Sequence, residues 1–309
     1  RGVDIFIQQL INGLTLGSIY ALVALGYTMV YGILGLINFA HGEVVMIGAL
    51  TALTVIKLLA DSGLPGTVVV LIGLLAAVPV CMALGFTIER IAYRPLRNAP
   101  RLAPLITAIG VSIVLQQLAM IFWGRNYHAF PPILPTSSRE IGGAHITDVQ
   151  IVIILLAVAI MAGLMLLVNR TRLGRAMRAT AENPQIAGLM GVNINVIISA
   201  TFLIGSALAA VAGVMVSANY SIAHYHMGFI LGLKAFTAAV LGGIGNLPGA
   251  MLGGVLLGLI ESLGAGYIGD LTGGFLGSHY QDVFAFFVLI LVLVFRPSGL
   301  MGEKVAERA

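Results

Sequence analysis

Long apolar runs separated by short polar segments dominate the chain. The runs cover roughly residues 5–36, 43–60, 66–88, 103–123, 149–169, 195–220, 229–247, 249–269 and 281–295. They lack the alternation over roughly ten residues that marks a barrel strand, and about 20 helical residues cross a bilayer. The pattern therefore predicts an all-α polytopic membrane protein with about eight or nine transmembrane helices, some of them interrupted.

The composition excludes a water-soluble surface for most of the chain. Of 309 residues, 59% are hydrophobic and 9% are charged, and the mean hydropathy is +1.03, whereas soluble domains carry about 25% charged residues. No composition shift divides the chain, so we expect one membrane domain over residues 1–309. The single cysteine, Cys81, allows neither an intrachain disulfide nor a thiolate metal cluster.

The first apolar run is too long for an ordinary transmembrane helix. Its 32 residues would rise about 48 Å as a helix, against a hydrocarbon core of about 30 Å. This run is therefore strongly tilted, broken at its glycines, or divided into two short elements.

Basic residues predict the orientation, because cytoplasmic loops are enriched in Lys and Arg. The loops between the basic groups contain only Lys57, Arg125 and Arg139 and are placed outside. Even numbers of spans separate the basic groups, so the C-terminus is predicted to be cytoplasmic and the N-terminus to lie outside. The residues assigned to the cytoplasmic side are Arg90, Arg94, Arg97, Arg101, Arg170, Arg172, Arg175, Arg178, Arg296, Lys304 and Arg308.

Two apolar stretches, residues 28–48 and 237–254, are interrupted by glycines and polar residues. Paired interrupted helices in the two halves of a chain indicate the binding region of a transporter. Alternatively, the first interruption is a polar loop at the membrane surface and the glycines serve only close helix packing. A metal site is not predicted, because a His-x-Glu pair lacks a third ligand. The candidate substrate-pathway residues are Asn38, His41, Glu43, Gly243, Gly245 and Asn246.

Lys234 and Glu261 are ionisable residues placed well inside apolar segments, where a charge is costly unless it is paired. If the two flanking runs form a hairpin that turns at Pro248, Lys234 lies 14 residues before the turn and Glu261 lies 13 after it. An equal helical rise places them at similar depth. We therefore predict an intramembrane ion pair, with a structural or a substrate-binding role, provided that the glycines before the turn do not break the register.

The basic loop at about residues 170–194 contains the clearest local motif outside the membrane. Asn183 reads as an N-cap, Pro184 as the first helical residue and Gly191 as the stop, which predicts a helix of about two turns. Its apolar residues share one face, as expected for docking into a partner or for lying on the membrane interface. The candidate coupling residues are Glu182, Asn183, Pro184, Ile186, Leu189, Met190 and Gly191.

Motifs for nucleotide hydrolysis and acyl transfer are missing from the sequence. The chain contains no phosphate-binding loop, no Gly-x-Ser-x-Gly and no His-Glu-x-x-His. We therefore predict no catalytic residues and no enzymatic activity. If transport uses nucleotide energy, another subunit supplies it.

Three segments resemble the LivH-type permease of bacterial branched-chain amino acid ABC transporters. They are residues 37–43, 174–193 and 234–250, and the likeness extends from about residue 5 to residue 300 with the motifs in the same order. The resemblance implies a multi-pass subunit of the bacterial inner membrane, with a single permease domain over residues 1–309 and a cytoplasmic coupling loop at about 170–194.

The resemblance also implies a set of partners. They are a second permease of the LivM type, two ATPases of the LivG/LivF type, a periplasmic amino-acid-binding protein and membrane lipid, without nucleic acid. ATP and Mg²⁺ would be used by the ATPases, and this chain would bind no cofactor. The Glu182–Gly191 segment would couple to an ATPase. The outer loop 124–148, with Pro131, Pro132 and Pro135, would help to receive the binding protein.

The implied substrates are leucine, isoleucine and valine. Related permeases with a similar Asn-x-Ala-His-Gly pattern serve urea and short-chain amides, so these remain an alternative. An aquaporin-type channel would also use paired interrupted helices, and an ion-coupled secondary transporter would use Glu43, Lys234 and Glu261 as coupling groups. The coupling-like loop at 170–194 argues against both of these classes.

Overall fold

The computed structural model describes residues 2–100, 102–132, 137–271, 273–274 and 281–301. Helices account for most of these residues. They are α1 (Gly2–Leu34), α2 (His41–Leu59), α3 (Gly66–Thr87), α4 (Leu102–Trp123), α5 (Asp148–Arg170), α6 (Arg172–Glu182), α7 (Pro184–Leu189), α8 (Ile194–Tyr220), α9 (Met227–Gly242), α10 (Leu247–Leu271) and α11 (Gln281–Phe295).

Seven of these helices are long and apolar enough to cross a membrane: α1, α2, α3 with its extension to Leu96, α4, α5, α8 and α10. Within the described ranges, α9 and α11 are shorter apolar helices. The prediction of an all-α polytopic membrane protein is therefore confirmed, and the predicted number of spans fits the seven long and two short apolar helices.

The first apolar run forms one continuous helix. α1 has 33 residues, which corresponds to about 50 Å at 1.5 Å per residue. From Ile11 to Val30 nearly every residue is buried, because α5, α8, α9 and α10 pack around this segment. α1 is therefore the central helix of the bundle, and its glycines serve packing without breaking it.

A stripe of small residues joins α1 to α10. Gly13 and Gly17 of α1 face Gly258 and the backbone of Val255 in α10, and a Cβ added to Gly17 would lie 2.7 Å from the Val255 Cα. Glycines at a spacing of four residues let two membrane helices approach until their backbones touch. This contact fixes α10, and with it Glu261, against α1.

Replacing Gly17 with leucine is expected to prevent this approach and to destabilise the fold by about 3 kcal/mol or more, because backbone atoms of α10 occupy the space that the side chain needs. Gly163→Leu on α5 is the matched control, since nothing lies within 4 Å of an added Cβ there. Thermal unfolding in detergent measures both variants. Equal midpoints for the two would contradict the close α1–α10 contact.

Arginines gather at one end of the bundle, here termed the basic end. α3, α5 and α11 end there. Arg170 is the last residue of α5, Arg296 directly follows α11, and Arg94 lies shortly after α3. A π-helical turn (Ile88–Tyr93) and a 3₁₀ turn (Arg94–Leu96) continue α3. Arg101, Lys304 and Arg308, which belong to the predicted cytoplasmic group, lie outside the described residues.

Short strands lie at the opposite end. β2 (Ser138–Ile141) pairs with β3 (Ala144–Thr147) in an antiparallel hairpin, and β1 (His128–Ala129) pairs with β4 (Ile222–Ala223). Gly142 and Gly143 have φ values of 57° and 88°, which suits the two-residue turn of the hairpin. The outer loop 124–148 is therefore partly ordered as strands, whereas Pro135 lies outside the described residues.

Candidate functional site

The segment 35–40 enters the interior of the bundle. Gly35, with φ 67°, ends α1, and the chain then runs inward to the start of α2. Asn38 is 4% exposed, and its Oδ1 accepts hydrogen bonds from the Tyr93 hydroxyl at 2.7 Å and from the Ala40 amide at 3.2 Å. Asn38 therefore ties this segment to the end of α3 and is not part of an exposed surface loop.

His41 fills the space between α1 and α2. Its ring is buried beside Gly26, which has no side chain, and lies edge-on to Tyr27 with 4.9 Å between the ring centroids. Its buried Nε2 has no hydrogen bond of standard geometry among the described residues. His41 and Asn38 therefore position the start of α2, and neither lines the cavity described next.

Glu43, in the first turn of α2, lines the cavity described next. Its Oε1 accepts hydrogen bonds from Ser112 Oγ at 3.0 Å and from Gln116 Nε2 at 2.7 Å. Its Oε2 is buried and lacks a hydrogen-bond partner within the described part of the chain. Because Ser112 and Gln116 lie near the middle of α4, Glu43 lies near mid-depth in the bundle.

The cavity beside Glu43 has a volume of about 380 Å³ and mainly apolar walls. Three helices besides α2 contribute to it, namely α1, α4 and α9. The rim on α4 and α9 is exposed at the bundle surface, which leaves the cavity open on one side. Its lining residues are Tyr27, Phe39, Glu43, Ile109, Ser112, Ile113, Gln116, His226, Gly228, Phe229, Gly232, Leu233 and Phe236.

The N-termini of α2 and α9 meet at this cavity. Gly42 packs on Gly228 and Gly232, and a Cβ added to Gly42 would lie 2.9 Å from the Gly232 Cα. Neither helix has a side-chain cap at its first turn, where Ala40 and His226 are the N-cap residues. The first amides of a helix lack helical partners and carry a partial positive charge. The cavity therefore combines one carboxylate with two positive helix ends.

The second predicted interruption lies elsewhere in the fold. Gly243 and Gly245, with φ values of 107° and 90°, form the turn between α9 and α10 at the basic end. Asn246 Oδ1 accepts a hydrogen bond from the Gly249 amide at 2.9 Å, and its Nδ2 donates to the Met301 carbonyl at 3.1 Å. None of these three residues lines the Glu43 cavity, so the structure does not bring the two predicted groups together.

Several cavity residues were not identified from the sequence. Ser112 and Gln116 stand four residues apart inside the apolar run 103–123, a helical spacing that would have indicated a polar stripe. His226 is the N-cap of α9 and Gly228 lies in its first turn, just before the apolar run 229–247. The partner of the α2 N-terminus is thus the beginning of α9 and not its end, where the glycines of residues 237–254 lie.

The structure brings Lys234 and Glu261 together, with 3.5 Å between Nζ and Oε1. Two further groups complete this charged cluster. Asp282 Oδ1 lies 2.7 Å from Lys234 Nζ, and the Tyr20 hydroxyl donates to Glu261 Oε2 at 2.7 Å. One lysine thus connects α9, α10 and α11 inside the bundle. The turn lies at residues 243–246 and Pro248 is the second residue of α10, so the predicted turn at Pro248 is wrong although the predicted pair forms.

A third buried carboxylate, Glu89, was missed because it stands next to a basic cluster. Its oxygens lie 3.0 Å from Arg94 Nη2 and 2.7 Å from Arg97 Nη2, and it accepts from Ser199 Oγ at 3.0 Å. Arg97 also donates to Asn195. These contacts fasten the π-helical end of α3 to the start of α8.

The loop between α5 and α8 forms two short helices at the basic end. The Asn183 side chain accepts hydrogen bonds from the amides of Gln185 and Ile186, Pro184 begins α7, and Gly191 has φ 92°. Glu182 is the last residue of α6 and does not belong to α7. In this isolated chain, Leu189 is 86% exposed and Met190 is 81% exposed, so α7 presents an unpartnered apolar face together with Ile186.

The fold and the cavity define a class of protein. A polytopic helical bundle with helix N-termini that meet at a polar group near mid-depth has the construction of a transport permease. The chain matches the family described as branched-chain amino acid transport system / permease component over residues 9–293. It belongs to that family.

Named relatives agree with this assignment along nearly the whole chain. The high-affinity branched-chain amino acid transport system permease protein BraD of Pseudomonas aeruginosa is 50% identical over 308 residues, which cover 98% of each chain. The corresponding LivH protein of Escherichia coli K12 is 45% identical over 308 residues, or 98% of this chain and 97% of LivH. A probable LivH of Methanocaldococcus jannaschii is 28% identical over 298 residues, or 92% and 89%.

Proposed function

We propose that this chain is the permease subunit of an ATP-driven importer of leucine, isoleucine and valine, and that it forms half of the translocation pathway. The observation that carries the proposal is the identity of 45–50% to BraD and LivH over 98% of the chain. The walls of the Glu43 cavity support it, because aliphatic and aromatic side chains suit a branched aliphatic side chain.

A second permease of the LivM type would complete the cavity. Ile109 and Ile113 on α4 and Phe229 and Leu233 on α9 form its open rim, and each is more than 40% exposed. Exposed apolar side chains on membrane helices also suit lipid, but a carboxylate that opens toward hydrocarbon does not, so a neighbouring membrane subunit fits this side of the cavity better than lipid. The partner would therefore contribute the opposite wall of the pathway.

Two ATPases of the LivG/LivF type would supply the energy, because this sequence lacks a phosphate-binding loop. We assign the basic end to the cytoplasm on the distribution of arginines, which places the C-terminus and α7 on that side. The exposed apolar face of α7 would dock into an ATPase. ATP and Mg²⁺ would bind to the ATPases and not to this chain.

The opposite end would face the periplasm of a bacterial inner membrane. The β2–β3 hairpin and the neighbouring Pro131 and Pro132 extend from it, and the hairpin residues of β2 are exposed. This surface would receive the periplasmic amino-acid-binding protein. The assignment follows from the same distribution of arginines.

The alternative substrates and classes have less support. Urea and short-chain amides would leave the apolar walls of the cavity without a matching group. An aquaporin-type channel or an ion-coupled transporter would leave the exposed apolar face of α7 unexplained. Lys234 already pairs with Glu261 and with Asp282, and Glu261 also accepts from the Tyr20 hydroxyl, so they have less free capacity for ion coupling.

Uptake by the assembled transporter tests the substrate class. The complex would be reconstituted in proteoliposomes with its binding protein, and uptake of labelled L-leucine would be measured with ATP inside. We expect ATP-dependent uptake that unlabelled isoleucine and valine inhibit and that urea and acetamide do not. Inhibition by urea or acetamide alone, or uptake independent of ATP, would overturn the proposal.

A further inference from the structure

We infer that Glu43 Oε2 accepts the α-ammonium group of a zwitterionic amino acid, and that the first turn of α9 receives its carboxylate. The inference deepens the proposed function and rests on it. It assigns a site for the charged end of the substrate, at the place where α2, α4 and α9 meet. It also assigns each of the two charges to a particular group of the chain.

The Glu43 carboxylate brings a charge to the cavity that no basic residue of the described chain matches. Glu43 is 1% exposed, and among the described residues no lysine, arginine or histidine pairs with it. Ser112 and Gln116 together satisfy Oε1, whereas Oε2 is buried and has no partner in the described part of the chain. A buried carboxylate oxygen without a donor is costly. An ammonium group in the cavity would supply both a donor and the opposite charge.

The first turn of α9 borders the same cavity. This helix has 16 residues and no side-chain cap, and Gly228 from its first turn lines the same cavity as Glu43. In this turn the amides of Met227 and Phe229 donate to the carbonyls of His224 and His226 at 3.1 and 3.4 Å, whereas the Gly228 amide has no such bond among the described residues. The dipole of a helix N-terminus favours an anion. Because the Gly42 backbone fills the Cβ side of Gly228, a carboxylate would approach from the cavity. A carboxylate beside Gly228 would therefore satisfy the end of α9 while the ammonium meets Glu43.

Apolar side chains form much of the remaining cavity wall. Ile109 and Ile113 lie on one side, and Phe229 and Phe236 lie on another. Once the two charged groups of the substrate are placed at Glu43 and Gly228, its aliphatic side chain can lie against these apolar residues. The site would recognise the zwitterion shared by all amino acids and would prefer apolar side chains.

Glu43→Gln separates binding from a structural role. A glutamine at position 43 can keep its carbonyl oxygen toward Ser112 and Gln116, and so preserve the α2–α4 contact, but it lacks the negative charge. Asp61→Asn is the matched control, because it makes the same change from acid to amide in the exposed turn between α2 and α3. Both variants would be purified with their partner subunits.

Ligand-observed NMR titration of the complex, without the binding protein, measures weak binding directly. The probes are L-leucine and 4-methylpentanoate, which lacks the amino group. We expect Glu43→Gln to weaken L-leucine binding at least about tenfold, in line with the loss of a charge-assisted hydrogen bond. Binding of 4-methylpentanoate would change less than twofold, and Asp61→Asn would change neither.

Three outcomes would overturn the inference. They are unchanged L-leucine binding in Glu43→Gln, equal weakening of both probes, and a lower unfolding temperature that accounts for the loss. If the wild-type complex imports leucine and Glu43→Gln binds it normally, the inference fails and the proposed function stands. If the wild-type complex neither binds nor imports leucine, the proposed function fails, and the inference fails with it.

Discussion

Leu189→Asp is expected to reduce ATP-driven leucine uptake to background, a loss of at least about tenfold. Leu189 is 86% exposed on α7 and forms an apolar face with Ile186 and Met190. If this face docks in an apolar groove of the ATPase, an aspartate there buries an unpaired carboxylate, which costs several kcal/mol. A loss of several kcal/mol in binding free energy lowers the affinity for the ATPase by orders of magnitude.

The measurements are uptake in proteoliposomes and the amount of ATPase that copurifies with the permease. Gln185→Asp is the matched control, because Gln185 is an exposed polar residue on the same short helix. It should keep uptake within about twofold of the wild-type value. The membrane fold should be unchanged in both variants, as measured by thermal unfolding. Normal uptake and normal ATPase recovery in Leu189→Asp would refute the coupling role of α7.

Lys234→Met is expected to destabilise the bundle by about 3–5 kcal/mol, because it leaves the buried Glu261 carboxylate without a cation. Lys234 lies between Glu261 and Asp282, at 3.5 Å and 2.7 Å. Glu261 is 1% exposed and retains only the Tyr20 hydroxyl as a donor in this variant. Asp282 is about half exposed and suffers less.

A double variant distinguishes the charge from the packing of the lysine side chain. In Lys234→Met with Glu261→Gln, the buried charge is gone and Tyr20 still has an oxygen acceptor at position 261. This variant should recover most of the lost stability in thermal unfolding and most of the folded yield in gel filtration. If the double variant is as unstable as Lys234→Met alone, the buried charge is not the cause of the loss.

Local chemistry explains which parts of the structure were predictable. Asn183, Pro184 and Gly191 define the ends of a helix through backbone capping, which depends on neighbouring residues only. The Lys234–Glu261 pair was predicted from equal distances to a turn at Pro248, whereas the chain turns at residues 243–246, and the packing of α9 on α10 brings the two side chains together. Helix number and boundaries followed from the lengths of the apolar runs, because the bilayer requires about 20 helical residues per span.

Contacts between helices far apart in sequence were not predictable. Nothing near Glu43 in the sequence indicates that α4 supplies Ser112 and Gln116, because which helix faces meet depends on the packing of the whole bundle. The role of Gly228 was hidden for the same reason. Asp282 was also missed, because it lies at the start of α11, more than 20 residues beyond Glu261.

Recovery of partner subunits from the native membrane tests the central claim most directly. The chain would be purified in mild detergent and the accompanying proteins identified by mass spectrometry. We predict a second, similar permease and a pair of ATPases in fixed proportion to this chain. A lone chain, or a complex made only of copies of this chain, would contradict the assignment to an ATP-driven importer.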